Sequence, residues 1–124
     1  MKSGLKLLAD LPGSGPVVTR QQTYRARLRM SVSVGKTVRW RYPSGPVGIG
    51  RLEDEGATLI TEVRINRGSL INGLLYGVEG MRVGGTRRLE IAPHLAYGER
   101  GVPGVIPPNA RLIAEITILE LVDY

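Results

Sequence analysis

The chain has 124 residues, enough for one domain with a buried core, and its 42% hydrophobic and 23% charged residues are typical of globular proteins. It contains no cysteine, which excludes disulfides, thiolate metal sites and a cysteine nucleophile. The net charge of +6 is carried mostly by arginine and favours weak contact with acidic partners. No apolar run reaches about 18 residues, the length that a membrane span needs.

Apolar residues in the first half of the chain recur with a period of two. In residues 24–34 they alternate with arginine and serine, which predicts a strand with one apolar face, because successive side chains of a strand point to opposite sides. Gly35-Lys36 predicts a turn, and residues 38–42 continue the alternation. We therefore expect a hairpin, followed by a surface loop over the proline- and glycine-rich residues 43–50.

One short helix is predicted after a further strand at residues 59–65. Ser69 is a candidate N-cap, and residues 70–78 carry a single apolar stripe at helical spacing. Gly73 and Gly77 lie within this segment and disfavour a helix in isolation. Packing against a sheet must therefore stabilise this helix.

The remaining elements are a strand at residues 86–91, a long loop rich in proline and glycine at residues 93–108, and a final strand at residues 111–122. Several strands with one short helix make an α+β domain, in which an antiparallel sheet wraps on the helix. No repeat divides the chain, so we expect a single domain over residues 1–124. The broken apolar run in residues 1–11 is too short for a signal peptide, and we expect a cytoplasmic monomer.

Residues able to perform bond-making chemistry are few. His94, the only histidine, follows a proline in a loop and is expected on the surface. The acidic residues 53–55 fall in another loop, without a second acidic cluster to pair with them. The glycine-rich residues 45–50 lack the Lys-Ser/Thr of a phosphate loop. The sequence therefore predicts no catalytic nucleophile or general base, no metal site and no cofactor.

Rotation about an X–Pro peptide bond is a reaction that needs none of these groups. Its barrier is about 18–20 kcal/mol because resonance stiffens the amide, whereas the cis and trans forms differ by only about 0.5–1 kcal/mol. Twisting the bond breaks the conjugation and reduces charge separation, so a desolvated pocket stabilises the twisted state relative to the planar one. An apolar slot with one or two hydrogen-bond donors would be enough.

Two motifs in the second half of the chain carry a resemblance to a known family. They are Pro93-His94-Leu95-Ala96-Tyr97-Gly98 and Gly104-Val105-Ile106-Pro107-Pro108-Asn109-Ala110, preceded by the segments 70–81 and 83–91. Over roughly residues 68–124 the chain resembles the FKBP-type peptidyl-prolyl isomerases, and Pro12-Gly13-Ser14-Gly15 resembles the turn after that family's first strand. The resemblance implies an FKBP-like fold, a twisted antiparallel half-barrel sheet wrapped on one short helix.

The resemblance also implies a prolyl-binding pocket. Tyr97 matches the tyrosine whose hydroxyl bonds a carbonyl of the bound ligand, and the alternative is a tyrosine that only caps the loop. Leu70 and Ile71 match the aliphatic pair at the helix start, where the N–H of Ile71 bonds a second carbonyl; the alternative for both is plain core packing. Val105 and Ile106 match the aliphatic residues of the loop that overhangs the pocket.

The chain departs from the family at several pocket positions. Leu74 stands where the family usually has the tryptophan of the pocket floor, and Ala114 stands where it has a phenylalanine on the last strand. The chain has no phenylalanine at all, and an inserted or variable segment is expected at about residues 40–57. Our hypothesis is that this segment, with Trp40 or Tyr42, reshapes or covers the pocket.

The middle of the chain allows two alignments with the family. One places Leu28, Val38 and Arg39 at the positions of the pocket Tyr, Phe and Asp. The other shifts the insertion earlier, so that Tyr42 and Asp54 recover the Tyr and the Asp. We prefer the first, because the first long strand then follows its turn at nearly the family spacing. Val38 is accordingly a predicted pocket residue.

These observations predict a peptidyl-prolyl cis-trans isomerase that acts on X–Pro bonds in protein folding, with weak or divergent activity because aromatic walls are replaced. A non-catalytic peptide-binding or chaperone module is the alternative. A third interpretation, a surface for acidic partners, rests only on charge, including that of Arg25, Arg27 and Arg29. We expect proline-containing peptides or proteins as partners and macrolide-type inhibitors as further ligands, but neither nucleic acid nor a membrane.

Overall fold

The computed structural model describes residues 2–33, 35–40, 50–67 and 70–122. They form an open antiparallel sheet of six strands with one short α-helix, which confirms the predicted α+β class. In chain order the elements are β1 Leu5–Leu11, β2 Thr23–Val32, β3 Gly50–Glu53, β4 Thr58–Arg64, α1 Asn72–Gly77, β5 Thr86–Ile91 and β6 Leu112–Val122. The strands lie in the order β1-β5-β6-β2-β4-β3, so β6 and β2 are central.

The predicted alternation of β2 is confirmed. Tyr24, Ala26, Leu28 and Met30 are buried, whereas the three arginines between them are exposed. The strand pairs with β6 along one side and with β4 along the other. The apolar face of β2 therefore belongs to the core, which lies between the sheet and α1.

The predicted hairpin after β2 is wrong beyond its turn. Gly35 adopts a φ of +100°, and Thr37 forms a single bridge to Ser31. The N–H of Val38 donates to the carbonyl of Met30 over 2.9 Å, but the described residues 38–40 form no strand. β4 occupies that side of β2 instead, from Thr23 to Arg29. Residues 41 and 42 of the predicted strand lie outside the described residues.

Two strands were not predicted from periodicity. In β1 only Leu5 is buried, and the register with β5 shifts between Leu7 and Ala9, so this edge strand shows no regular alternation. β3 has only four residues and pairs with β4 at the other edge of the sheet. Apart from Gly50, the loop predicted over residues 43–50 lies outside the described residues, as does Ser69. The predicted strands at 59–65, 86–91 and 111–122 correspond to β4, β5 and β6.

The helix begins later than predicted and is held by its contact with β5. Its N-cap is Ile71, which makes no side-chain cap, and the predicted cap residue Ser69 lies outside the described residues. A Cβ added to Gly73 would overlap the side chain of Ile91, and one added to Gly77 would lie 2.5 Å from Cδ1 of Leu89. The two glycines that disfavour an isolated helix therefore let it lie directly on the sheet, which confirms that packing stabilises it.

The carboxyl end of α1 is tied to β5 by Arg87. Its guanidinium Nη1 donates to the carbonyl of Gly77 over 2.9 Å and to that of Glu79 over 2.5 Å. These carbonyls lack partners within the helix, so a cation at this end satisfies them and complements the helix dipole. Nε of Arg87 lies 3.3 Å from Oδ1 of Asp10 on β1, close enough for an ion pair but not aligned for a hydrogen bond.

Candidate functional site

The eight predicted pocket residues all belong to the hydrophobic core of the domain, and these eight together with Trp40 are here called the pocket cluster. Five of the eight predicted residues are buried and three are partly buried. The buried ones are Val38, Leu70, Leu74, Ile106 and Ala114, and the partly buried ones are Ile71, Tyr97 and Val105. They come from the segment after β2, the start of α1, the loop after β5 and the middle of β6. The fold thus brings together residues that are far apart in the chain.

The loop after β5 holds Tyr97 through backbone hydrogen bonds. The N–H of Gly98 donates to the carbonyl of Pro93 over 2.9 Å, and that of Asn109 donates to the carbonyl of Gly98 over 2.8 Å. Further along, Val102 and Ile106 exchange N–H to carbonyl bonds in both directions, each of 2.8 Å. These bonds fix the backbone on both sides of Tyr97, so its side chain is positioned before any ligand binds.

The Tyr97 hydroxyl is buried and has no hydrogen-bond partner within the described ranges. Desolvation by burial raises its pKa above the ordinary tyrosine value of 10.0, so it keeps its proton throughout the physiological range. Because the hydroxyl bonds nothing in the loop, the loop-capping alternative has no support from the geometry. The group is a neutral donor in apolar surroundings, which is what a ligand carbonyl requires.

Trp40 packs beside Tyr97 in the pocket cluster. The two ring centroids are 6.1 Å apart with the planes tilted by 58°, a usual geometry for an aromatic pair. Trp40 is only 7% exposed, and its Nε1 atom is buried with no hydrogen-bond acceptor in the part of the chain that the structure describes. The Tyr97 hydroxyl and the Trp40 indole are thus two buried, unpaired N–H or O–H donors in neighbouring rings.

The backbone around Trp40 is held by a glycine that no other residue could replace without strain. The N–H of Trp40 donates to the carbonyl of Gly56 over 2.9 Å. Gly56 has a φ of +88°, and a Cβ there would overlap the Trp40 carbonyl. Val38 and Trp40 are buried while Arg39 between them is exposed. This alternation in the sequence was the signal that could have placed Trp40 in the cluster.

Leu74 and Ala114, which replace the aromatic residues expected from the resemblance, are fully buried. Ala114 lies on β6 between Met30 of β2 and Leu89 of β5. Both side chains therefore contribute to core packing as the structure stands, and their contact with a ligand stays a prediction. The same holds for Leu70, which is 5% exposed.

Neither alignment of the middle segment brings an acid into the pocket cluster. Leu28 and Val38 are buried, but Arg39 is exposed and its Nη1 donates to the carbonyl of Asp54 over 2.9 Å. Asp54 is also exposed, and its carboxylate accepts a 2.8 Å bond from the Thr58 hydroxyl. Tyr42 lies outside the described residues.

Several exposed arginines pair with acidic side chains on neighbouring strands. Arg25 on β2 forms an ion pair with Glu120 on β6. Arg88 lies 3.9 Å from Glu115, and across the same two strands Glu90 lies 3.5 Å from an arginine near the start of β6. Of the three arginines on the exposed face of β2, this pairing engages Arg25, whose carboxylate partner would compete with a bound acidic partner. His94 is exposed, as predicted.

The described ranges hold neither a metal-binding cluster nor a membrane-spanning helix. No group of three metal-ligating side chains lies close enough to hold an ion there. Likewise, no helix in those ranges is long and apolar enough to cross a bilayer.

Comparison with known proteins identifies the family. Residues 31–119 match the sequence profile described as "FKBP-type peptidyl-prolyl cis-trans isomerase". The chain belongs to this family. The match covers well over half of the chain, including all eight predicted pocket residues. The family resemblance inferred from the motifs at residues 93–110 is therefore confirmed.

Relatives and solved structures of FKBP type agree with this assignment. The chain is 39% identical over 97 residues to "FK506-binding protein 4" of Aspergillus oryzae, covering 73% of this chain and 19% of the relative. It is 50% identical over 68 residues to "Peptidyl-prolyl cis-trans isomerase FPR2" of Saccharomyces cerevisiae, covering 55% of this chain and 47% of the relative. The crystal structure of AtFKBP13 is similar with a TM-score of 0.70 at 26% identity, covering 95% of this chain and 91% of that one. The FKBP-like fold is confirmed, although the chain spans less than half of these two curated relatives.

Proposed function

We propose that this chain catalyses cis-trans isomerisation of X–Pro bonds in proline-containing peptides and proteins. The observation that carries the proposal is the Tyr97 hydroxyl, which is buried, neutral and unpaired in an apolar cluster of an FKBP-type fold. A buried polar group without a partner costs about 1–3 kcal/mol, so its persistence points to a ligand that completes the bond.

The reaction follows from the chemistry of the cluster. Aliphatic side chains, among them Val105 and Ile106, surround the prolyl ring and exclude water, which disfavours the charge-separated planar amide. The Tyr97 hydroxyl donates to a carbonyl next to the proline, and the N–H of Ile71 donates to another. These bonds hold the flanking chain while the amide twists. No covalent bond forms or breaks, so the step requires neither nucleophile nor cofactor.

The replaced aromatic positions lower the expected activity. Leu74 and Ala114 offer less contact area to a prolyl ring than the Trp and Phe of the family pattern, and large-to-small changes in packed sites typically cost about 2–5 kcal/mol. The Tyr97 hydroxyl is also closed to solvent, so a ligand must first displace what covers it. Both effects raise KM and weaken the binding of macrolide-type inhibitors, which we propose as further ligands of the same cluster.

A protease-coupled assay on a short X–Pro peptide tests the proposal. The expected result is acceleration of the cis-to-trans step at micromolar protein, in a preparation shown to be folded by circular dichroism. No acceleration by the folded protein would refute the proposed activity. The heat-unfolded protein serves as control, because it retains composition and charge but loses the cluster.

The replaced aromatics also favour a second candidate, a module that binds proline-containing segments without turnover. Calorimetry with the same peptide separates the two, since the module predicts saturable binding with no acceleration. A cytoplasmic location, a monomeric state and a role in protein folding stay predictions. Cell fractionation would test the location, and analytical ultracentrifugation would test the monomeric state. The role in folding would be tested by the refolding rate of a protein whose slow step is proline isomerisation.

A further inference from the structure

Trp40 combines two properties that a simple packing residue does not need. The residue is only 7% exposed, and its Nε1–H has no acceptor among the residues described. The indole N–H can only donate, so it cannot be satisfied by another donor nearby. An unpaired buried donor lowers the folding equilibrium constant by about tenfold, and phenylalanine would place an aromatic ring there without an unpaired donor.

The position of Trp40 relative to Tyr97 indicates what would satisfy it. The two ring centroids are 6.1 Å apart, yet the indole N–H and the phenol hydroxyl do not bond each other. Two donors held in adjacent rings match two acceptors spaced a few ångströms apart in one ligand. A prolyl peptide has such acceptors, because a carbonyl precedes the proline ring and another follows it.

We propose that Trp40 is a substrate-contacting residue of the pocket, whose ring forms an aromatic wall and whose Nε1–H donates to a carbonyl flanking the bound proline. The inference rests on the proposed function and adds to it the class of peptide that the pocket favours. Trp40 partly compensates for Leu74, because it supplies from the segment after β2 an aromatic surface that Leu74 does not provide. The ligands favoured are extended peptides with carbonyls on both sides of the proline.

Intrinsic fluorescence gives the first test, since Trp40 is the only tryptophan in the chain. The probe is the acetylated and amidated tetrapeptide Ala-Leu-Pro-Phe, and Ala-Leu-Ala-Phe is its matched control. Both donors are closed to solvent in the free chain, so peptide entry must shift the Trp40 ring. We expect a saturable change of emission with the prolyl peptide alone. An unchanged emission at peptide concentrations that calorimetry shows to be saturating would overturn the proposal.

A substitution separates the hydrogen bond from the packing. Trp40→Phe keeps an aromatic ring and removes the N–H, so we expect the peptide Kd to rise about tenfold, while removal of the unpaired donor offsets the packing lost with the larger ring in the free energy of unfolding. A merely structural tryptophan predicts a net loss of stability with little change in Kd. Tyr76→Phe is the control, because it removes a hydroxyl that accepts an exposed hydrogen bond from Arg67 and should affect neither Kd nor turnover.

Nuclear magnetic resonance provides a test that needs no variant. The wild-type ¹H–¹⁵N spectrum has a single indole cross-peak, which should move downfield and exchange more slowly when the prolyl peptide binds. A peak that does not move while the peptide binds and isomerises would sink this inference and leave the proposed function intact. If the peptide neither binds nor isomerises, the proposed function and the inference fail together.

Discussion

Replacing Tyr97 by phenylalanine removes one oxygen atom from the centre of the pocket cluster and leaves the ring beside Trp40. The bond that this hydroxyl donates to a ligand carbonyl is worth about 0.5–1.5 kcal/mol, which corresponds to a loss of about 2- to 12-fold in kcat/KM. Stability should move in the opposite direction. The hydroxyl has no partner in the described structure, so its removal should leave the free energy of unfolding unchanged or raise it by about 1 kcal/mol.

Two measurements on the same preparations check this pair of effects. The protease-coupled assay gives kcat/KM, and urea unfolding followed by circular dichroism gives the free energy of unfolding. Tyr76→Phe makes the same chemical change at a hydroxyl that accepts a bond from Arg67, so it should leave kcat/KM unchanged. An unaltered kcat/KM in Tyr97→Phe would remove this hydroxyl from the mechanism. A loss of stability above about 1 kcal/mol would show that the hydroxyl is bonded within the folded chain.

Three further predictions concern the fold. Burial raises the pKa of Tyr97, so above pH 10.0 the unfolded chain loses this proton first, and wild type should lose up to about 1.4 kcal/mol of stability per pH unit relative to Tyr97→Phe. Below pH 10.0 the difference in the free energy of unfolding between wild type and Tyr97→Phe should be constant. If this difference already changes with pH at about pH 8, the burial assigned to Tyr97 is contradicted. Gly73→Ala should destabilise by about 1–3 kcal/mol in urea unfolding, because the added Cβ meets Ile91, whereas Asn72→Ala on the exposed side should not. Arg87→Met should lower stability by about 1–3 kcal/mol by leaving carbonyls at the end of α1 unpaired. Its control, Arg88→Met, removes an exposed ion pair with Glu115 and should lower the free energy of unfolding by less than about 1 kcal/mol. Equal losses of stability in the two variants would refute the capping role of Arg87.

The family and most of the fold could be predicted from the sequence. The alternation in β2 is a local property, because successive side chains of any strand point to opposite faces, and it identified the buried residues of that strand correctly. The motifs around Tyr97 and Ile106 identified the loop that contributes both residues to the pocket cluster. The irregular edge strand β1 could not be found this way, because a register shift interrupts its period.

Tertiary structure decided what lies beside β2 and what faces Tyr97. Residues 38–40 have the pattern of a strand, but β4 pairs with that side of β2, and only the competition between distant segments selects the partner. Trp40 then reaches the pocket cluster because Gly56, from the far end of the predicted insertion, holds its backbone. Composition and motifs establish which residues are available for a prolyl pocket. Whether the polar atoms of Tyr97 and Trp40 are left without partners depends on contacts between segments remote in the chain, which no local pattern encodes.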